Sequence, residues 1–593
     1  MEDRDKRMKK RNTPPEQETE QERVAWNTLP WKKLEQHVYS IQKRIYQASQ
    51  RDEKRKVEKL QKLLMKSKAA RLLAVRRVTQ ENQGKKTAGI DGVKSVNPSE
   101  RMALAERIHP KNWKDLPARP VRRVWIPKPG KPDERRPLGI PVMVERAQQA
   151  LVKMALEPAW EALFEPNSYG FRPGRSCQDA IGAVFLGICQ KPKYVFDADV
   201  KGAFDAINQT ALLEKLHTYP QMRRVIKGWL KAGILEGKEF SPTESGTPQG
   251  GVISPLLMNI ALHGMEKAIT EGTKKSRKPT LIRYADDFVI FHAKEEELKK
   301  AAERATEWLL EMGLHLHPNK TRITHTLDPY AGKVGFDFLG FTIRQYHVGK
   351  THTGKSVQGR PLGYKTLITP SKAAIKRQAQ KQKDLLRKLT SAPQETVINT
   401  LNPIIRGWTN YYKRWVCSRA FVTCEYHTFR QVMRWERRRH PKKSKRWIKQ
   451  RYTIKARGSI RFGMHLKDKE GKETSLFLRK YTDTQHQRHI KVKGTASPYD
   501  GRLLYWAQRL KNHPLMRREM AQLLASQKGQ CPKCGLYFQD EEILKIDHII
   551  PMALGGKDER SNKWVYHQHC HDEKTAEDKA SIAKHKAAGV TRN

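Results

Sequence analysis

The run LIRYADDFVIFH, from Leu281 to His292, puts two adjacent acids, Asp286 and Asp287, inside an apolar segment of strand length. Buried, unpaired carboxylates are costly, so such a pair needs either a hairpin tip in solvent or a bound cation. Taken alone, it reads as a solvent-facing turn. A second apolar run, YVFDADV, ends on another acid, Asp199, and between the two lies SGTPQGGVISPLLMNIAL, a Gly/Pro loop opening an apolar helix. That company favours a site: carboxylates fixed on rigid elements are what two Mg²⁺ ions need for phosphoryl transfer.

The 116 Lys and Arg exceed the 62 Asp and Glu by 54, more than solubility asks for and suited to a polyanion covering much of the surface. No window approaches 18 consecutive apolar residues, and the start, MEDRDKRMKKRNTPPEQ, has no apolar run that could act as a signal peptide. The expectation is a soluble protein of the cytoplasm or an organelle interior, with nucleic acid and no membrane as partner. Seven cysteines in 593 residues do not make a disulfide framework; Cys177, Cys189, Cys417 and Cys424 read as structural, whereas Cys531, Cys534 and Cys570 cluster near the C-terminus.

A chain this long predicts several folding units. Apolar steps of three and four residues from about Ile41 to Val78 (Val57, Leu60, Leu64) predict a basic amphipathic helix, ended by the turn NQGKKTAGIDG. VRRVWIPKPGKPDERRPL predicts a charged hairpin, and Glu295 to Gly313 an amphipathic helix. After Gly340 the composition turns Gly-, Lys- and His-rich without periodicity, which marks a boundary. Residues 351–500 hold 36 Lys and Arg against 9 Asp and Glu, half the total excess and hence the main polyanion footprint. A second break falls near GTASPYDG, before a short helix around Trp506. The resulting expectation is a basic tail over 1–40 and further units over 41–120, 121–345, 346–450, 451–515 and 516–593, which the family resemblance carried by the motifs below implies to be an N-terminal extension with the start of fingers, a catalytic region, a basic helical region, a DNA-binding region and a metal module.

The order of strand acid, glycine loop with helix, then YADD resembles the palm of reverse transcriptases. The resemblance implies an α+β multidomain fold: a right-hand polymerase with fingers and an antiparallel palm sheet, a helical thumb, and a C-terminal ββα-metal module. It implies that Asp199 and Asp286 hold two Mg²⁺, with Asp287 adding charge and the Val200 carbonyl completing the shell. It places Phe204 against C2′ of the incoming dNTP, Lys128 and Arg136 on the triphosphate (Arg135 able to exchange with Arg136), Gln249 on the nucleotide or templating base, and Lys320 near the pyrophosphate. GFDFLGF, Gly335 to Phe341, resembles the primer-gripping turn.

LNPIIRGWTNYYKRW, from Leu401 to Trp415, sets Trp408, Tyr411, Tyr412 and Trp415 at helical spacing, which is ordinary core packing for most of them. Arg406, Lys413, Arg414 and Arg419 on its flanks suit RNA phosphates. This segment, the KTAGIDGV turn and YGFRPGRSCQDAI resemble group II intron-encoded proteins, from about residue 40 to the C-terminus. Such proteins bind the intron RNA that encodes them, assist its splicing and copy it into DNA at an insertion site; a homodimer is left open.

Cys531-Pro-Lys-Cys534 and His567-Gln-His-Cys570 have zinc-ribbon spacing for structural Zn²⁺, the two-residue gap favouring His567 over His569. Between them, IDHIIPMALGGKDERSNKWVYHQHCHDEK resembles the HNH nuclease motif. That implies His548 as general base, Asp547 and His571 on one Mg²⁺ or Mn²⁺, Asn562 orienting His548 or its loop, and a double-stranded DNA target whose nicked strand becomes the primer. A splicing cofactor with an idle polymerase would not need Asp199 and YADD intact, and a retron or defence-type enzyme would lack LNPIIRGWTNYYKRW and the nuclease tail.

Overall fold

In the computed structural model, residues 26–94, 96–115, 117–128, 131–274, 278–467, 473–539 and 542–590 are described. The helix expected from Ile41 to Val78 is three: α1 (Trp31–Gln50), α2 (Lys54–Lys66) and α3 (Lys68–Arg76). Asp52 breaks the first pair with φ +54 and Ser67, in extended conformation, the second, so each apolar stripe can turn onto one shared core. Trp26 is buried and α1 runs through residue 40, so the part of the tail beyond residue 25 is already packed structure. The charged hairpin forms as expected, β1 (Val121–Lys128) antiparallel to β2 (Lys131–Ile140), and its sheet is extended through β1 by β4 (Ile234–Glu236) and β5 (Glu239–Ser241).

The sheet that positions the acids is antiparallel throughout, in the order β6-β7-β3-β8: β6 (Thr280–Tyr284), β7 (Asp287–His292), β3 (Tyr194–Asp199) and β8 (Arg322–His325). Because side chains alternate across a strand, Phe196, Ala198, Leu281, Phe288 and Ile290 enter one core and Val195, Ile282, Val289 and Phe291 another. The first core is closed by α1 to α3, α4 (Met143–Glu161), α6 (Ser254–Ala261) and α7 (Glu295–Glu311). The second takes in α5 (Cys177–Ile188), which opens with a Ser176/Asp179 capping box.

The second core continues into the basic region. Strands β9 (Phe336–Phe338), β10 (Phe341–His347) and β11 (Tyr364–Pro370) form one sheet, so the composition shift after Gly340 marks the loop between two paired strands, not a domain edge at 345/346. Helices α8 (Lys372–Lys388), α9 (Gln394–Tyr412) and α10 (Ser418–Arg439) follow, then α11 (Lys445–Tyr452) leads directly into β12 (Thr453–Ala456), β13 (Ser459–Lys467) and β14 (Glu473–Phe477). Of the aromatic stripe, Tyr411 and Tyr412 pack on Phe341, and Trp408 lies between Tyr412 and Phe421. Trp415 falls beyond the end of α9, where Nε1 donates to Gln178.

Residues 489–509 strap this region back onto the palm. Asp179, fully buried, accepts from Ser176 N and Oγ, Val492 N (2.8 Å), His489 and Arg509. Burial alone would raise its carboxyl, but His489 and Arg509 hold it far below the usual carboxylate range. Arg175 donates to the carbonyls of Gly494 and Ala496, and Tyr499 to Glu157. The strap continues as α12 (Leu503–Leu510), α13 (Arg518–Ser526) and a ββα unit of β15 (Leu544–His548), β16 (Lys563–His567) and α14 (Gln568–Val590). Removing the acid leaves the half-buried Arg509 and His489 without their counter-charge. Asp179→Ala is therefore expected to cost about 3–5 kcal/mol and to open residues 480–515 to proteases, read by urea midpoint and mapped cleavage sites; unchanged cleavage there would detach the strap from Asp179.

Candidate active sites: a carboxylate cleft and a Cys/His module

The register sets Asp199 directly opposite Asp287 across β3 and β7, with Asp286 at the tip of the β6–β7 turn. Tyr284 pairs with Asp287, so the turn has only two residues, and Ala285 takes φ +59, a left-handed conformation that costs a non-glycine residue energy unless something holds it. A network missed in the sequence does so. Arg283, fully buried, donates from Nη1 to Asn259 Oδ1 (3.1 Å) and to the Ala285 carbonyl (3.2 Å), and Asn259 Nδ2 donates to the Gly170 carbonyl (2.8 Å). A Cβ on Gly170 would lie 2.2 Å from the Ala285 nitrogen, so only glycine lets this segment pass under the turn. The available signal was a basic residue inside the apolar run LIRY.

Three carboxylates so close repel one another. Loss of water in the cleft, then the charges of Asp286 and Asp199, push Asp287 up to about 7, and desolvation raises Asp286. Asp197, two residues back along β3, is pushed by burial up to about 6 although Arg322 pairs with it. Such a donor set fits divalent cations, which would favour the ionised acids that the cleft alone disfavours. Lys320 meets that excess on one side by pairing with Asp199. Val200 bridges Leu316 through bonds made by its neighbours, Lys201 N to His315 O and His317 N to Asp199 O, so its carbonyl takes no part in that bridge.

Around the acids, Phe204 packs edge-to-face on Phe171 at 6.3 Å, and its carbonyl accepts from Thr247 N. Gln249 donates to Asp205 (3.1 Å), and both line a cavity of about 240 Å³ with Arg123 and Gly139. Arg136 stands on β2 opposite Ile126, its charge acting on Asp286, and Arg135 stands opposite Pro127. Lys128 ends β1, and its side chain lies outside the described residues. The GFDFLGF segment makes a tight turn with Leu339 and Gly340 both left-handed. Of the basic residues near α9, Arg406 and Arg419 are exposed and Lys413 and Arg414 half-buried, none within ion-pair distance of a carboxylate among the described residues.

The second site is on the ββα unit. Cys531, Cys534, His567 and Cys570 bring one donor atom each to within 4.8 Å of the others. His567 Nδ1 lies 3.4 Å from Cys534 Sγ while Nε2 faces Glu542, and His569 only stacks on His567 at 5.3 Å. Burial and the neighbouring thiols push the Cys570 thiol up to about 12, the strain a structural cation would relieve.

Beside it, Asp547 stands next to the end of β15 and lies 3.9 Å from His571. Asn562 accepts from Ile550 N and donates to the Ile550 and Lys557 carbonyls, so it pins the loop after His548 and not the ring. Asp558, which sequence reasoning passed over in the charged run KDER, contacts His548 Nε2 at 3.0 Å. Lys574, nearly buried, was also missed; it lies 3.5 Å from Asp547 and pairs with Asp578.

Because the folded value of Asp287 lies above the ordinary carboxylate value of about 4, its protonated form is favoured by folding. That stability is complete below about pH 4 and lost as pH rises to about 7. A divalent cation held there would have to displace this proton, so its apparent affinity is expected to strengthen up to about pH 7 and then level, with Asp287→Asn flattening the profile. Mg²⁺-dependent thermal shifts measure this; a pH-independent midpoint would separate Asp287 from the ion.

Comparison with known proteins agrees with this geometry region by region. Residues 26–108 match the N-terminal domain of reverse transcriptase, 126–343 the reverse transcriptase (RNA-dependent DNA polymerase) family, 375–453 the group II intron maturase-specific domain, and 531–577 the HNH endonuclease family. Protein YkfC of Escherichia coli is 32% identical over 309 residues, covering 45% of this chain and 78% of that protein. Group II intron-encoded protein LtrA of Lactococcus lactis is 29% identical over 379 residues, 49% of this chain and 60% of its own length. Maturase-like protein 1 of Euglena gracilis is 25% identical over 390 residues, 65% and 76%. The chain belongs to the group II intron-encoded reverse transcriptase family, with a maturase domain behind the polymerase and an HNH endonuclease domain after it.

Proposed function

We propose that this chain nicks a DNA target with its HNH module and extends the freed 3′-end with its polymerase, copying the intron RNA whose splicing it assists. The observation that carries the reading is the register that sets Asp199 against Asp287 beside the Asp286 turn, three ionisable acids at one end of a rigid sheet's strands. Two Mg²⁺ held by Asp199, Asp286, Asp287 and the Val200 carbonyl would activate the primer 3′-hydroxyl and stabilise the departing pyrophosphate. Around them Phe204 would exclude a 2′-hydroxyl, Lys128 and Arg136 would take the triphosphate as a point charge and a fork, Gln249 would contact the nucleotide or its template base, and Lys320 would release Asp199 to approach the pyrophosphate. Arg406, Lys413, Arg414 and Arg419 would face RNA phosphates.

In the nuclease, His548 would take a proton from water, its ring held by Asp558. Asp547 and His571 would bind one Mg²⁺ or Mn²⁺ on the scissile phosphate, and Zn²⁺ on Cys531, Cys534, His567 and Cys570 would hold the ββα unit together.

Primer extension on an RNA template with Mg²⁺ and dNTPs tests the polymerase; Asp286→Asn is expected to abolish it, and a wild-type chain that extends nothing would leave a splicing cofactor. His548→Ala is expected to lower DNA nicking about 10²–10⁴-fold with extension intact, and loss of both would mean the modules are not separable. Phe204→Ala is expected to raise ribonucleotide incorporation, and unchanged sugar selectivity would refute its role.

A further inference from the structure

A cavity of about 680 Å³ lies between α10, α11 and the β12–β14 sheet, far along the chain from both sets of acids. Helix α10 has two apolar faces. One, with Phe421, Cys424, Val432 and Trp435, is buried in the second core. The other, Val422, Tyr426 and Phe429 at i, i+4 and i+7, lines the cavity and is left 58%, 54% and 58% exposed, and Ile460 of β13 faces them at 56%. Four large apolar side chains open to water in one groove mark a binding surface. Arg430 donates to the Tyr426 hydroxyl at 3.1 Å, which holds that ring in place before any ligand arrives.

The charges around the groove say what fits. Glu425 pairs with Lys480 and Asp483 with Arg461. Arg437, Lys445, Lys449 and Arg479 also line it, with no carboxylate in ion-pair distance among the described residues. A rim of free cations around exposed aromatic rings suits a nucleic-acid strand, its phosphates on the rim and its bases on the rings; an apolar peptide would leave the rim unmatched. A duplex keeps its base faces stacked inside, so the strand must be unpaired here.

At the groove's inner wall stands Glu436, nearly buried, whose carboxyl makes no hydrogen bond within the protein among the described residues. Burial pushes it up to about 7 against the nearby Arg437 charge, and N–H donors from a ligand would favour its ionised form. Guanine offers two adjacent N–H groups, N1–H and N2–H, which match a carboxylate fork. All the helical groove residues lie within 375–453, the stretch that matches the intron maturase-specific domain, so RNA is the strand favoured over DNA.

We propose that this groove is a binding site for an unpaired, guanine-containing stretch of RNA, stacked on Tyr426 and Phe429 and held at its base edge by Glu436. The proposal deepens the RNA-binding reading above and rests on it. The test uses the full-length chain and single-stranded oligoribonucleotides at a salt concentration that suppresses general phosphate binding. With 6-thioguanosine in the strand, ultraviolet crosslinking followed by peptide mapping is expected to mark Tyr426, Phe429 or their neighbours on α10. The Tyr426→Ala/Phe429→Ala double variant is expected to weaken binding about 10- to 100-fold, with primer extension on a pre-annealed template unchanged. Glu436→Gln is expected to remove the preference for oligoguanylate over oligocytidylate while keeping the crosslink.

Crosslinks confined to other regions would overturn the groove while leaving RNA binding by the chain intact, whereas no RNA binding anywhere would overturn the parent reading. Equal losses with DNA of the same sequence would overturn the RNA assignment. A dimer that the double variant turns to monomer would assign the groove to a second copy instead.

Discussion

Everything about the polymerase site depends on holding like charges together that would separate if they could. Asp199 and Asp287 face each other across an antiparallel pair, where side chains stand about 5 Å apart, and Asp286 crowns the β6–β7 turn beside them. No surface hairpin would keep that arrangement, because the acids would splay into water. The sheet prevents it by being buried on both faces, with alternate residues of β3, β6 and β7 committed to two different cores. A one-residue slip would exchange every side chain between those cores, so the register that aligns the acids is also the register that packs the protein.

The turn itself is restrained from below. Arg283 spends its buried charge on the Ala285 carbonyl and on Asn259, and Asn259 in turn holds the Gly170 carbonyl. Elements distant in the chain thereby converge on one strained residue. The same logic recurs at Asp179, where a helix cap on the palm is also the anchor for residues near 490 and 509. A nuclease module that follows the strap is thus tied to the polymerase it serves, consistent with cutting and copying as consecutive acts on one DNA end.

The nuclease shows how local pattern and tertiary placement divide the labour. Ligand spacing alone brought Cys531, Cys534, His567 and Cys570 together, because two short knuckles on a ββα unit have few other ways to close. Spacing could not say whether Asn562 held the base or its loop; three hydrogen bonds to Ile550 and Lys557 place it on the loop, and the contact to His548 comes from Asp558.

What the sequence determined by itself was whatever depends on short-range order: the strand acids, the charged hairpin, the aromatic helix, the cysteine pairs and the basic excess. Each is written in neighbours two to four residues apart or in composition, where periodicity and turn chemistry act directly. Only the tertiary structure decided how the long N-terminal stripe breaks into three helices and that the apparent boundary after Gly340 is a loop between paired strands. It also decided that Arg283 supports the YADD turn and that one face of α10 is left uncovered. Those outcomes follow from which surfaces meet, and surfaces far apart in the chain leave no local trace of their meeting.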